Sequence, residues 1–140
     1  MITEDYVSFE IAKLLKEKGF DESCSFVVNT ISKNVMPVSW PTTNSDIEDE
    51  KASLIALPTL QMVMKWLREV HNIHTEICLY KTSEDDIEPK KSRKAPYYTF
   101  GVWDTITGDN VDKRLINDFI GNTYEQAVEA AINYCLENLI

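Results

Sequence analysis

Apolar and polar residues recur along this chain with two periods, one typical of helices and one typical of strands. The first helical stripe begins after Thr3, which can cap a helix N-terminus, and Glu4 and Asp5 suit the positive end of the helix dipole. Gly19 follows the stripe and can adopt the left-handed conformation that commonly ends a helix. We therefore predict a first helix between Thr3 and Gly19. Its stripe comprises Val7, Ile11, Leu14 and Leu15.

Two further segments have the helical period. Pro58 suits the first turn of a second helix, whose stripe is widened by Met62 and Trp66. Thr123 and Gln126 form a capping box, in which side chains and backbone bond reciprocally at the start of a third helix. The second stripe comprises Leu60, Val63, Met64, Leu67 and Val70, and the third comprises Val128, Ala131, Ile132, Cys135 and Leu139.

Three segments follow the strand period: "CSFVVNT", "IHTEICLY" and "YYTFGVWDTI". The pattern is lost near 33–56 and 83–96, which we predict to be long loops because prolines and blocks of charge interrupt them. The segment 112–122 fits a short helix and an edge strand equally well.

The predicted order of elements is α-β-α-β-β-α within a single domain, residues 1–140. Two strands follow each other with no helix between them, which favours antiparallel pairing. The sequence therefore predicts an α+β fold with three helices packed on one face of a small, mainly antiparallel three-stranded sheet. A four-stranded sheet is the alternative.

Composition narrows the possible functions. The formal net charge of −9 disfavours binding to nucleic acid or to an anionic membrane, because both are themselves negatively charged. Only four glycines are present, which leaves little room for a glycine-rich phosphate loop, and we expect no cofactor. No apolar run approaches the roughly 18 residues of a membrane span. Three scattered cysteines without a CxxC pair, and no secretory signal, favour reduced thiols and a cytoplasmic location.

The two histidines lie close together, in "WLREVHNIH". His71 falls in the last predicted turn of the second helix, where a cation favours the negative end of the dipole. Asn72 is a good left-handed cap and Ile73 begins the next strand, so a helix–strand junction explains this segment without a ligand. The alternative is a metal or ligand site formed by His71, His74 and Cys78.

Alternation places His74, Glu76, Cys78 and Tyr80 on one face of the second predicted strand. If helices cover one side of the sheet, the other side carries members of a patch comprising Val27, His74, Tyr80, Tyr97 and Trp103. An exposed aromatic patch typically marks an interface. Alternatively, the predicted loop that contains Trp40 folds over this face. The candidate binding residues are His74, Tyr80, Tyr97 and Trp103.

Three stretches resemble small proteins of anaerobic gut bacteria that are described as hypothetical or prophage-related. They are "EDYVSFEIAKLLKEKGFDE", "PTLQMVMKWLREVHNIH" and "YEQAVEAAINYCLENLI", and they cover between a third and a half of the chain. The resemblance implies a cytoplasmic accessory protein linked to mobile genetic elements. It carries no catalytic residues over to this chain.

These observations support three functional hypotheses. The first is a non-enzymatic protein-interaction protein, either a homodimer or a binder of another protein, because the chain has no recognisable catalytic constellation. The second is an acidic nucleic-acid mimic that inhibits a host enzyme, suggested by the runs "DIEDE" and "EDDIE". The third is an enzyme, or a small metal- or ligand-binding protein, built on His71, His74, Glu76, Cys78 and Asp104.

Overall fold

A computed structural model describes residues 1–47, 53–81, 96–111 and 120–140. Within these residues the elements follow one another as α1 (Phe9–Glu17), β1 (Cys24–Asn29), β2 (Val35–Thr42), β3 (Leu54–Ala56), α2 (Leu60–His71), β4 (Ile73–Tyr80), β5 (Tyr97–Asp104) and α3 (Tyr124–Asn138). The predicted α+β class with three helices and a small antiparallel three-stranded sheet is confirmed, and the predicted order holds apart from two additional strands.

The described chain divides into two compact units, one formed by Met1–Trp66 with Asn133–Ile140 and the other by Leu67–Ile132. The single domain over 1–140 therefore stays a prediction. The predicted loop at 83–96 lies outside the described residues except for Pro96, and 112–119 of the ambiguous segment also lies outside them. The same holds for the run "EDDIE" and for most of "DIEDE".

The first unit contains an antiparallel sheet in the order β2-β1-β3. The prediction of a loop over 33–56 is wrong at Val35–Thr42 and Leu54–Ala56, which are β2 and β3. These two strands are the partners of β1, whereas β4 and β5 form a separate two-stranded sheet. The strand predicted from "CSFVVNT" therefore does not share a sheet with the other two predicted strands.

Pro37 shows why a proline-containing segment can still be a strand. Asn29 donates its backbone N–H to the carbonyl of Asn34 at 3.0 Å, and this fixes which opposed pairs of β1 and β2 are hydrogen-bonded. Phe26 and Pro37 form a non-hydrogen-bonded pair. The Phe26 carbonyl accepts instead from the N–H of Leu57, in the chain entering α2, at 2.9 Å. The Pro37 nitrogen thus faces away from β1, where its missing hydrogen costs no ladder bond.

Asn44 ties the segment after β2 to two distant parts of the first unit. Its Nδ2 donates to the carbonyl of Phe20 at 2.8 Å, and its Oδ1 accepts from the N–H of Ala56 at 3.0 Å. Beside it, Ser45 donates its hydroxyl and its N–H to Asp21 at 2.6 and 2.7 Å. These bonds to the hydroxyl and the backbone of Ser45 hold the pKa of the Asp21 carboxyl below its ordinary value.

Helix α1 begins later than predicted. Its N-cap is Ser8, whose hydroxyl accepts from the N–H of Ile11 at 3.3 Å, and not Thr3. The preceding segment is extended, because Asp5 and Val7 exchange backbone bonds with the chain that enters α2: Val7 donates to Pro58 at 3.1 Å and Leu60 donates to Asp5 at 2.9 Å. These long-range bonds hold residues 5–7 in an extended conformation, which keeps them out of the helix.

The predicted end of α1 is confirmed. Gly19 has φ +86°. Gly19 donates to the carbonyl of Lys16 at 3.2 Å, and Phe20 donates to that of Leu15 at 2.9 Å. This is the paired bonding of a Schellman motif, and it satisfies two carbonyls that the helix end would otherwise leave open.

The starts of α2 and α3 follow the predicted chemistry with one shift. In α2 the Thr59 hydroxyl accepts from the N–H of Met62 at 3.2 Å, so Thr59 is the N-cap and Pro58 lies one residue before it. In α3 the predicted capping box is present: Gln126 donates its N–H to the Thr123 hydroxyl at 3.1 Å, and Thr123 donates back to the Gln126 side chain at 3.3 Å.

The buried stripes are close to those predicted. In α2 they end one turn early, because Val70 is 54% exposed. The buried residues of α2 are Leu60, Val63, Met64, Trp66 and Leu67, and those of α3 include Val128, Ala131, Ile132 and Cys135.

A single residue joins α2 to β4. Asn72 lies between His71 and Ile73 with φ +57°, as the sequence predicts. Its carbonyl accepts from the N–H of Thr105, just after β5, at 2.9 Å. The junction is thus fixed both by its own conformation and by a bond to the far end of the hairpin.

We expect Asn72→Ala to lower the free energy of unfolding by about 1 kcal/mol, because a Cβ without a local hydrogen-bonding group destabilises the left-handed conformation. Asn72→Gly should be neutral or slightly stabilising, since glycine adopts this conformation without steric cost. Urea denaturation of both variants measures the difference, and Gln61→Ala, at an exposed position of α2, is the control. If the alanine and glycine variants lose the same free energy of unfolding, the left-handed conformation of Asn72 does not explain its contribution to stability.

Candidate functional site

The ladder between β4 and β5 brings the four predicted binding residues together. It is antiparallel and continuous from the pair Ile73–Asp104 to the pair Tyr80–Tyr97, with His74 opposite Trp103. Directly opposed residues share a face of the ladder, and so do residues separated by an even number along one strand. His74, Tyr80, Tyr97 and Trp103 therefore occupy one face, as two cross-strand pairs. We call it the aromatic face.

The opposite face of the ladder is largely buried. Ile73, Thr75, Phe100 and Val102 are all buried there, and Thr75 is only 2% exposed. Thr75 Oγ1 has no hydrogen-bond partner in the described part of the chain. This burial explains the alternation of β4, because one set of side chains must point inward and the other must point outward.

At one end of the aromatic face, a hydrogen bond fixes the orientation of an indole ring. Trp103 donates its Nε1–H to Glu76 Oε2 at 3.0 Å. The two residues are diagonal neighbours across the strands, and His74 is exposed opposite Trp103. Trp103 itself is half-buried, so part of the ring remains at the surface.

At the other end, Tyr80 and Tyr97 stack on each other. Their ring centroids are 6.1 Å apart and their planes are inclined by 24°. Tyr80 is 44% exposed, which leaves much of its ring accessible to a partner. Offset stacking of this kind stabilises the pair by about 1 kcal/mol beyond burial.

In the middle of the aromatic face, the β5 residues are buried, whereas Glu76 on β4 is exposed. Thr99, opposite Cys78, is completely buried, and Gly101, opposite Glu76, is also buried. The two aromatic pairs lie six residues apart, which is about 20 Å along a strand. The predicted patch therefore consists of two separate clusters rather than one continuous platform.

One other sequence expectation about this face is wrong. Val27 is not part of it, because Val27 is buried within β1 in the other sheet. Trp40 lies on β2 rather than in a loop and is 80% exposed, and covering of the aromatic face by the segment that contains it stays a prediction.

The geometry does not bring the proposed metal ligands to one point. His74 and Cys78 share a face of β4 but lie four residues apart, which is about 13 Å. His71 belongs to the last turn of α2. No group of three or more His, Cys, Asp or Glu side chains in the described ranges could hold one metal ion. Asp104 has a structural partner instead, since its Oδ1 accepts from the N–H of Ile106 at 2.7 Å.

The three cysteines have a weak tendency to ionise. Burial raises the pKa of the Cys135 thiol to about 12. Burial, with a smaller contribution from the Glu22 carboxylate, raises that of Cys24 to about 11. Burial and then the charge of Glu76 raise the pKa of Cys78. Thiolates are the form that attacks substrates and binds metals, so none of these thiols is activated for either role.

His71 differs from the sequence expectation. The end of a helix favours a protonated imidazole, but partial burial at this position lowers the pKa of His71. Desolvation therefore favours the neutral imidazole at this position. His74 is exposed on the aromatic face, so the two imidazoles occupy different environments.

Glu76 is the residue whose role the sequence analysis missed. Its place beside Trp103 depends on the register between β4 and β5, which are separated by residues 81–96. From the sequence alone, alternation places Glu76 on the same strand face as His74. Only the register between β4 and β5 identifies Trp103 as its neighbour.

Comparison with models of protein families, with curated proteins and with solved structures gives no match. None of the described helices combines the length and the apolar character needed to cross a membrane.

We expect Thr75→Val to raise the free energy of unfolding by about 1 kcal/mol, because it removes a buried hydroxyl that has no partner while keeping the shape of the side chain. Thr75→Ser is the matched comparison, since it keeps the hydroxyl and removes a buried methyl group. It should lower the free energy of unfolding by about 1 kcal/mol. Urea denaturation distinguishes the two, and a valine variant less stable than the wild type would contradict this account.

His71 should make stability depend on pH. Its pKa is lower in the folded protein than the ordinary value of 6.5, so the unfolded chain binds the proton first. The contribution of neutral His71 to the stability of the folded protein is fully present above pH 6.5. It is lost as the pH falls through the pKa of His71 in the folded protein. Between about pH 7.5 and about pH 5 we expect His71→Gln to lose less stability than the wild type.

Thermal unfolding across this range measures the effect of His71, and His74→Gln is the control because His74 is exposed. The control variant should follow the wild-type dependence. If His71→Gln follows it as well, burial of His71 does not govern the acid sensitivity.

Proposed function

We propose that this protein is a non-enzymatic interaction protein that binds a partner protein through the aromatic face of β4 and β5. The observation that carries the proposal is the register of the ladder, which gathers His74, Tyr80, Tyr97 and Trp103 on one face. In keeping with the resemblance of its helices, we propose further that it is a cytoplasmic accessory protein of a mobile genetic element.

The side chains of the aromatic face are of the types that dominate protein interfaces. Tryptophan and tyrosine supply large contact areas at a low cost in conformational entropy. The bond from Trp103 to Glu76 and the stacking of Tyr80 on Tyr97 hold these rings before any partner arrives. Because these rings are already ordered in the free protein, less conformational entropy is lost on binding.

The two aromatic clusters are close enough for one partner to contact both. A standard interface buries about 800 Å² on each side, which corresponds to a patch roughly 28 Å across. The clusters are about 20 Å apart on a continuous ladder. A single partner that spans the distance between the clusters can therefore use both ends.

The net charge of −9 favours a different protein over a second copy of this one, because two acidic chains repel each other. A homodimer through the same face is the other form of the proposal. Light scattering over a wide range of concentration distinguishes them, since the homodimer doubles the mass and the heterotypic binder remains a monomer when pure.

We expect a photoreactive amino acid at position 74 to crosslink to a partner in the cells that produce the protein. The same group at position 79 is the matched control, because Leu79 is 61% exposed on the same strand but on its opposite face. Introducing the photoreactive group at position 74 leaves Trp103 unchanged. The crosslink should disappear when Trp103→Ala is added, because that change removes the proposed anchor.

Binding to the purified partner then tests the contribution of the ring. We expect Trp103→Ala to weaken binding by at least about tenfold, the scale of a hot-spot residue, while Leu79→Ala leaves it nearly unchanged. Circular dichroism establishes that both variants are folded. Equal crosslinking from positions 74 and 79, or full binding by the folded Trp103→Ala variant, would refute the proposal.

A further inference from the structure

The end of the aromatic face that contains Trp103 combines a π surface with a carboxylate. Glu76 Oε2 accepts the indole N–H at 3.0 Å, so the carboxylate lies at the edge of the ring. Its other oxygen, Oε1, has no hydrogen bond within the described residues. Glu76 is exposed and Trp103 is partly exposed, so both groups are accessible from solvent.

Each of these groups attracts a cation. The face of an indole is the best aromatic surface for a positive charge, and the free oxygen of Glu76 can accept a charge-assisted hydrogen bond. The chain as a whole has a net charge of −9, which raises the local concentration of cationic groups. Charge therefore specifies what kind of side chain fits this end of the face.

We propose that the partner protein presents an arginine side chain to Trp103 and Glu76. The guanidinium group is planar, so it can stack on the indole while an N–H at its edge donates to Glu76 Oε1. An ammonium group attracts both groups as a point charge but lacks the flat surface for stacking. This inference rests on the proposed function and names the chemistry of the partner at one end of the interface.

A titration with N-acetyl-arginine amide tests the inference directly, with the indole N–H resonances of the protein as the readout. The chain has three tryptophans, and a Trp103→Phe variant identifies the resonance of Trp103. We expect a saturable shift of this resonance with half-saturation on the order of 10 mM, as one exposed cation contact allows. The resonances of Trp40 and Trp66 should not move.

N-acetyl-citrulline amide is the matched probe, because it has nearly the same shape as the arginine compound but no charge. At constant ionic strength it should leave the Trp103 resonance in place. If citrulline shifts that resonance as much as arginine does, the site selects an apolar or planar group rather than a cation, and the inference is wrong. The absence of any saturable shift with arginine also refutes it.

Two variants separate the local carboxylate from the overall charge. Glu76→Gln keeps an oxygen that can accept the indole N–H, and it should weaken arginine binding by about two- to fivefold, the range of an exposed ion pair. Glu17→Gln removes the same charge from an exposed position of α1 and should have no effect. If both variants weaken arginine binding equally, binding depends on the net negative charge of the protein, and the proposed contact with Glu76 is wrong.

The outcomes distinguish this inference from the function on which it rests. If position 74 crosslinks to a partner and arginine does not bind at Trp103, the interaction face stands and the arginine contact is refuted. If arginine binds at Trp103 and no partner crosslinks at position 74, the cation site stands and the proposed function fails.

Discussion

The left-handed backbone of Asn72 determines which way every side chain of β4 points. Because α2 ends at His71 and β4 begins at Ile73, no intervening loop could compensate for an inserted or deleted residue. Side chains of a strand alternate between faces, so an added or deleted residue at this junction would exchange the buried and exposed sets. Ile73 and Thr75 would then face solvent, and His74 and Glu76 would be buried.

The same constraint reaches β5 through the ladder. The Asn72 carbonyl accepts from Thr105, which closes the end of the hairpin opposite the Tyr80–Tyr97 pair. Once the phase of β4 and this closing contact are set, the position of Trp103 beside Glu76 follows from the register. The aromatic face is thus a consequence of one junction residue and the bonds that the hairpin makes around it.

Features specified by neighbouring residues could be predicted from the sequence, and features that depend on distant partners could not. Gly19, Asn72 and the capping box of α3 are determined within about five residues, and each lies where the pattern indicates. A proline such as Pro37 indicates a loop locally, whereas its tolerance in a strand depends on β1 and on the terminal position of β2 in its described sheet. Asn44 lies after β2, where the predicted loop holds, but its bonds reach residues 12 and 24 positions away and could not be predicted.

The candidate site shows the same division. Alternation alone placed His74 and Tyr80 on one face, but the pairing of each with a particular residue of β5 required the register. Separation into two clusters depends on the burial of Thr99, for which the sequence contains no local signal. For His71, position in the helix suggested a cation, and only the surroundings of the side chain reverse that preference.

The orientation of Pro37 also bears on whether another chain can pair with the sheet of the first unit. Residues 34–45 contain no charged side chain, and β2 is an eight-residue strand at the end of its described sheet with Trp40 largely in solvent. Such a strand ordinarily invites another chain to extend the sheet, which is the first step toward a fibril. Pro37 removes a donor from that side, so an incoming strand meets an interrupted row of hydrogen-bonding groups. By this argument Pro37 opposes pairing at an edge where other proteins place charged residues.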